Sequence, residues 1–239
     1  MPTYQTTAIV IGRTNFGEAD RIIRLLTPDH GKVSAVAKGV RKIKSRMAGH
    51  LELFGEVGLM LATGKNLDVI TSARLIWYPH HLSGDYGALP LSFAFATAID
   101  RLVEPGHGSY KLYEALRETV HALDEQGGSR ALELWFKLRL LDNLGYRPDL
   151  GGCAVCGKSD AGESYVFSAA KGGLLCAAHT EPGTAAIPTV TIKYWRLAFD
   201  QPFTVISGIQ GGESIAAASI NLVDEFYEHH VGRAFRPTL

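Results

Sequence analysis

The chain is poor in cysteine and methionine, with three of each in 239 residues. It also has no apolar run near the ~20 residues that a membrane-spanning helix needs. The opening residues, MPTYQTTAIVIGR, lack a cationic stretch, an apolar block and a small-residue cleavage site, so no secretory leader is read there. A cytoplasmic location and no membrane contact are expected. No phosphate loop is read in the chain, and HExxH and GxSxG do not occur. Gly31-Lys32 resembles the end of a phosphate loop but lacks the upstream glycine and the following helix. His80-His81 and His229-His230 are sequence neighbours, and adjacent imidazoles do not converge on one ion. With no nucleophile–base pair in view, the expectation is a protein that is not an enzyme and takes no small-molecule substrate.

What is present begins with charge. The formal net charge of zero hides a division along the chain. Residues 1–80 carry eleven Lys and Arg against six acids, a surplus of five that the remaining residues cancel. Between Asp29 and Glu52 stand six bases and no acid: Lys32, Lys38, Arg41, Lys42, Lys44 and Arg46. Such a concentration is the electrostatic footprint of a phosphate-backbone binder, and nothing in it offers base readout.

The first 77 residues read as strands, at Ala8–Arg13, Arg21–Leu26, Lys32–Lys38, His50–Ala62 and Leu67–Trp77. KVSAVAK alternates as a half-buried strand does, and Thr27–Gly31 and Thr63–Asn66 are turn sequences. Gly55 and Gly58 are candidate bulges or sharp bends. Five short strands suggest a small barrel, and the long insertion after the third favours an OB-fold over an SH3-like barrel. On an OB-fold, Arg13, Arg21, Arg24 and Lys32 of the strands join the basic loop as nucleic-acid-binding candidates. Phe16 and Phe54 are stacking candidates, with core positions as the alternative.

Helical periodicity follows at Leu89–Val103, Ser109–Leu123, Arg130–Leu144, Thr189–Phe199 and Ser214–Val231. The class is therefore α+β: a five-stranded OB-fold barrel over 1–79, then an α-helical domain over 80–239. Embedded in the latter, at about 150–182, is a zinc knuckle. Cys153-Ala-Val-Cys156 and Cys176-Ala-Ala-His179 place two ligand pairs 19 residues apart. Two residues between ligands let a tight turn aim both side chains at one ion. Three thiolates and an imidazole make a closed tetrahedral site, which points to one structural zinc. Asp149 and Asp160 are candidates for supporting or capping roles. Residues 150–188 contain only Lys158 and Lys171 as bases, so this knuckle is not expected to read bases.

The order of these features resembles the bacterial RecO family of DNA repair proteins. The likeness is carried by DRIIRLLTPDHGKVSAVAKGVRK from Asp20 to Lys42, by LDNLGYRPDL ahead of CAVCG, and by GGLLCAAH. The resemblance implies recombination mediator activity. Such proteins bind single- and double-stranded DNA, anneal complementary strands and, with RecR, help load RecA onto strands coated by single-stranded-DNA-binding protein (SSB). A cytoplasmic, nucleoid-associated location goes with it. The usual zinc set of that family is four cysteines, and here His179 stands last. The resemblance also implies a site for the acidic SSB C-terminal tail on the helical domain, for which Arg130, Lys137 and Arg139 are the nearest candidates. From the residues alone, a zinc-stabilised RNA-binding module is the alternative.

Overall fold

β-branched and apolar residues dominate the first third of the chain, and in the computed structural model they form five strands. These are β1 (Thr3–Phe16), β2 (Asp20–Thr27), β3 (Gly31–Ala37), β4 (Glu56–Ala62) and β5 (Asp68–Trp77). The structure describes residues 2–84, 87–159, 165–180 and 185–232. The strands close in the order β1-β2-β3-β5-β4. β1 pairs with β4 from Thr3 to Ile9 and with β2 from Ile9 to Phe16, and a register shift between Val10 and Gly12 bends it from one partner to the other. β3 and β5 meet in parallel, Ala35 opposite Asp68 and Val36 opposite Val69. This is the strand order of an OB-fold. Val10, Ile23, Leu25, Val57, Leu59 and Ile70 fill the interior, each large side chain contributing about 1.5–3 kcal/mol of burial.

Two strand expectations change. β1 extends past Ala8–Arg13 at both ends, because the polar residues there are held by ladder hydrogen bonds rather than by burial. The fourth strand begins at Glu56, not His50. Ala48–His50 forms a 3-10 turn, and Gly55 N–H donates to Glu52 O at 3.1 Å. Gly58 is not a bulge; the β4–β5 register shifts fall at Glu56/Val57 and Met60/Leu61.

Two compact units emerge from the contacts, Met1–Gly127 and Gly128–Arg236. The first extends beyond the barrel because α1 (Ala88–Leu102) and α2 (Tyr110–Gln126) bind to it through ion pairs. Asp100 of α1 meets Arg24 Nε at 2.9 Å. Glu56 of β4 accepts from Tyr113 Oη and Arg117 Nε of α2, each at 3.1 Å. Ser109 starts α2 by accepting the N–H of Leu112.

The second unit holds α3 (Arg130–Asn143), the short strands β6 (Val166–Ser168) and β7 (Gly173–Leu175), α4 (Thr189–Asp200), α5 (Phe203–Ser207) and α6 (Gly212–Val231). Trp135, Phe136, Trp195, Phe199 and Tyr227 are fully buried. Glu213 of α6 accepts the N–H groups of Arg130 and Ala131 at 2.8 and 2.9 Å, so it caps α3 alongside Ser129. α5, five residues between Pro202 and Gly208, is too short to show a period in the sequence. Among the described residues no helix is long and apolar enough to cross a membrane.

Lys137 sits inside this core at 1% exposure. Its ammonium lies 2.8 Å from Glu133 and 2.7 Å from Asp224, and Tyr227 Oη donates to its carbonyl at 2.7 Å. A buried charge this well paired is destabilised chiefly by losing a partner. Lys137→Ala should lower the unfolding free energy by about 3 kcal/mol in urea titrations. A loss below about 0.5 kcal/mol, the range of surface substitutions, would contradict the pairing.

Candidate functional site

Two features of the structure bring chemistry-bearing side chains together: a sulfur–nitrogen cluster in the second unit and a basic loop on the barrel.

The cluster is built by two turns. Cys153 N–H donates to Lys158 O at 2.9 Å and Gly157 N–H to Cys153 O at 2.8 Å, closing a loop that brings Cys153 and Cys156 to one side of the turn. Gly157 occupies the left-handed region at φ +71°, which favours glycine. β6 and β7 pair from Val166/Leu175 to Ser168/Gly173 and deliver Cys176. The 3-10 turn Ala177–His179 then brings the imidazole round, with His179 N–H on Cys176 O at 2.9 Å. Ala154 N–H, donating to Leu174 O at 2.7 Å, ties the first turn to the second.

The four candidate ligand atoms lie within 4.8 Å of one another. Cys156 Sγ is 3.9 Å from Cys176 Sγ, and His179 Nδ1 is 3.6 Å from Cys153 Sγ and 3.3 Å from Cys176 Sγ. A tetrahedral ion at thiolate and imidazole bond lengths requires edges of about 3.8 Å between sulfurs and about 3.5 Å between sulfur and nitrogen. The cluster therefore fits a tetrahedral metal ion, with all four positions taken by protein. Cys153 and Cys176 are buried, while Cys156 and His179 face solvent. The backbone N–H groups of Cys176, Cys156 and Val155 stabilise the Cys153 thiolate against burial and lower its pKa to about 6. Asp149 caps the turn by accepting Gly151 N–H at 2.9 Å; Asp160 lies outside the described residues.

Gly152–Ser159 also spells GxxxxGK[ST], the phosphate-loop pattern, which taken alone argues for a nucleotide site and against a non-enzyme. The structure gives it the wrong surroundings. Among the described residues no strand leads into it and none of Gly157–Ser159 is helical, and its two cysteines turn to the Cys3His cluster.

The basic candidates divide into two groups. Lys32 is 8% exposed, and its ammonium donates to Asp100 O at 2.6 Å. Burial lowers its pKa, and the Asp100 carboxylate acts in the opposite direction. Arg24 is spent on Asp100 and on Thr14 Oγ1 at 2.8 Å, and Arg13 on Glu52 at 2.6 Å. All three have partners within the first unit, and Lys32 is buried, while the Arg13 and Arg24 side chains remain 29% and 30% exposed. Lys38, Arg41, Lys42, Lys44 and Arg46 are all exposed on the loop after β3. Arg21, at the start of β2, bonds Asn15 at 3.3 Å on an exposed face.

That loop is fastened to the turn between β1 and β2. Gly39 N–H donates to Asp20 Oδ1 at 2.7 Å, Arg41 N–H to Ala19 O at 2.9 Å, and the Arg41 guanidinium to Gly17 O at 3.3 Å. Gly39 makes its turn at φ +63°. Sequence reading passes over Asp20, which lies 19 residues before the glycine whose N–H it accepts. The stacking candidates separate as well: Phe16 is 50% exposed, while Phe54 is 4% exposed and packs edge-on against Phe93, so it is core.

On the second unit the tail candidates do not form one surface. Lys137 is buried, as described, and cannot meet a partner. Arg130 pairs with Glu133 at 2.7 Å. Arg139 donates to Phe199 O and lies over the Trp135 ring at 5.7 Å.

A five-stranded OB barrel with an exposed basic loop, and a helical unit with a Cys3His group able to hold a metal ion, define the class of the chain. Known proteins make it specific. The family model described as Recombination protein O N terminal matches residues 1–78, and that of the C terminal matches residues 84–238. A DNA repair protein RecO from Bifidobacterium adolescentis is 36% identical across 99% of this chain and 98% of its own. Those of Cutibacterium acnes and Roseiflexus sp. are each 34% identical, covering 99% and 96% of this chain and 97% and 82% of theirs. The chain belongs to the RecO family of DNA repair proteins.

The purified protein should carry one metal ion per chain by elemental analysis. Cys153→Ser or Cys176→Ser should lose the ion and lower the melting temperature, because a structural metal contributes folding energy directly. Metal-free protein with an unchanged melting temperature would refute the cluster.

Proposed function

We propose that the protein is a recombination mediator that works by binding rather than by turnover. In this reading it holds single- and double-stranded DNA on the barrel and anneals complementary strands. With RecR it helps load RecA onto strands coated by SSB, at the nucleoid. The observation that carries the reading is the solvent-facing group Lys38, Arg41, Lys42, Lys44 and Arg46, on a loop pinned to the barrel. Arg21 extends the same basic surface onto β2. Phosphate neutralisation by such a group is independent of sequence and releases counterions. The metal of the Cys3His cluster is zinc, by its sulfur-rich tetrahedral donor set, and its role is structural. An SSB tail meeting α3 has Arg130 and Arg139 to pair with, each already engaged within the unit.

Fluorescence anisotropy of labelled oligonucleotides, titrated at several salt concentrations, tests the DNA contact. The triple variant Arg41→Glu/Lys42→Glu/Lys44→Glu should weaken binding to every sequence alike. It should also reduce the log–log salt slope for single strands by about 2, at about 0.7 per phosphate contact. RNA of the same sequence should compete less well than DNA. Unchanged DNA binding by the folded variant would reduce the loop to solvated surface, and preferential RNA binding would favour an RNA-binding module instead.

A further inference from the structure

The basic loop contains three large apolar side chains, and they do not share one fate. Val40 is 1% exposed and belongs to the barrel core, and Met47 packs against the same core. Ile43 is 104% exposed, as free of contact as in an extended peptide. Its position is imposed by the loop. Ser45 N–H donates to Lys42 O at 2.9 Å, closing a turn whose two central residues are Ile43 and Lys44. The base of that turn is fixed by buried Val40 and by the bonds from Gly39 and Arg41 to Asp20 and Ala19. An isoleucine is therefore held outward at the tip of a positively charged turn, with exposed Lys42 and Lys44 on either side.

The barrel register supplies a second apolar surface at the same end. Phe16 is opposite Asp20, and Arg21 is opposite both Asn15 and Ala37. Half-exposed Phe16 thus stands at the strand ends from which Lys38 and the loop depart. Adjacent strands are about 4.8 Å apart, so the backbone at Phe16 and the base of the loop, two strands apart, are separated by about 10 Å. A ring and an aliphatic tip among uncompensated cations suit a ligand that is anionic along its backbone and apolar on its faces. Aliphatic side chains flanked by cations enter base steps and unstack them in proteins that deform nucleic acid.

We propose that Ile43 is a wedge that enters the base stack of bound DNA while Lys42 and Lys44 hold the flanking phosphates. This rests on the DNA-binding reading above and adds to it a specific act: the bound strand is unstacked at the loop tip, which leaves its bases open to a complementary strand.

The test uses the full-length protein and a single-stranded oligonucleotide containing 2-aminopurine, whose fluorescence rises when it is unstacked. Saturating wild-type protein should raise the signal. Ile43→Ser should abolish the rise while affinity falls only a few-fold and the salt slope stays the same, and Ile43→Leu should restore it. Ile43→Ser with an undiminished rise overturns the wedge and leaves the side chain to a protein contact. Wild-type binding that depends on Lys42 and Lys44 but leaves 2-aminopurine silent also overturns the wedge and spares the proposed function. If the wild type shows no salt-dependent binding, both fall together.

Discussion

The first unit depends on β1 pairing twice. Its first half takes β4 as partner and its second half β2, with the bend between Val10 and Gly12 making both possible. This closes the sheet and leaves no long edge to aggregate. Closure also decides where loops leave the barrel. The turn after Phe16 and the loop after Ala37 emerge at neighbouring strand ends, because Phe16 opposes Asp20 and Arg21 opposes Ala37. Five like charges within nine residues repel one another and would favour a disordered excursion. Bonds from the loop to Asp20, Ala19 and Gly17, with Val40 buried beneath, oppose that tendency and hold the charge on one surface.

Cations serve two purposes in this protein, and burial separates them. Lys32, Arg24 and Arg13 each have an acid or carbonyl within hydrogen-bond reach, and they hold α1 and the turn before β4 to the barrel. Lys137 does the same within the helical unit through Glu133 and Asp224. Desolvation makes the two buried ones, Lys32 and Lys137, costly to strand. The loop cations carry no such commitment on the lysine side chains, whose entropy and hydration are retained until a polyanion arrives. Part of the positive surplus in the N-terminal third is therefore engaged inside the protein, and the loop after β3 carries five exposed cations.

Much of this was legible in the residues. Period-two alternation marks β2 and β3, and paired cysteine and histidine spacing picks out the four side chains that the fold brings within 4.8 Å of one another. The misreadings share a cause, which is that long-range partners leave no local trace. Lys137 lies two helical turns from Arg130 and looks like surface charge; Glu133 hints otherwise, but Asp224 is 87 residues away. Asp100, which occupies both Arg24 and Lys32, is equally remote in sequence. Gly152–Ser159 matches a phosphate loop letter by letter, and only the backbone around it excludes that role. The glycine-punctuated stretch from His50 to Ala62 reads as one strand, yet its first part turns, with Leu51 packed into the barrel core and Phe54 against Phe93.

The central claim is that DNA lies on the loop after β3, and lysine reactivity measures it most directly. Acetylation footprinting by mass spectrometry, with and without a saturating single strand, should show Lys38, Lys42 and Lys44 protected by DNA. Lys65 and Lys193, exposed elsewhere, should react unchanged, and Lys32 should stay unreactive in both states. Protection confined to Lys65, Lys193 or other lysines outside the loop would contradict the account.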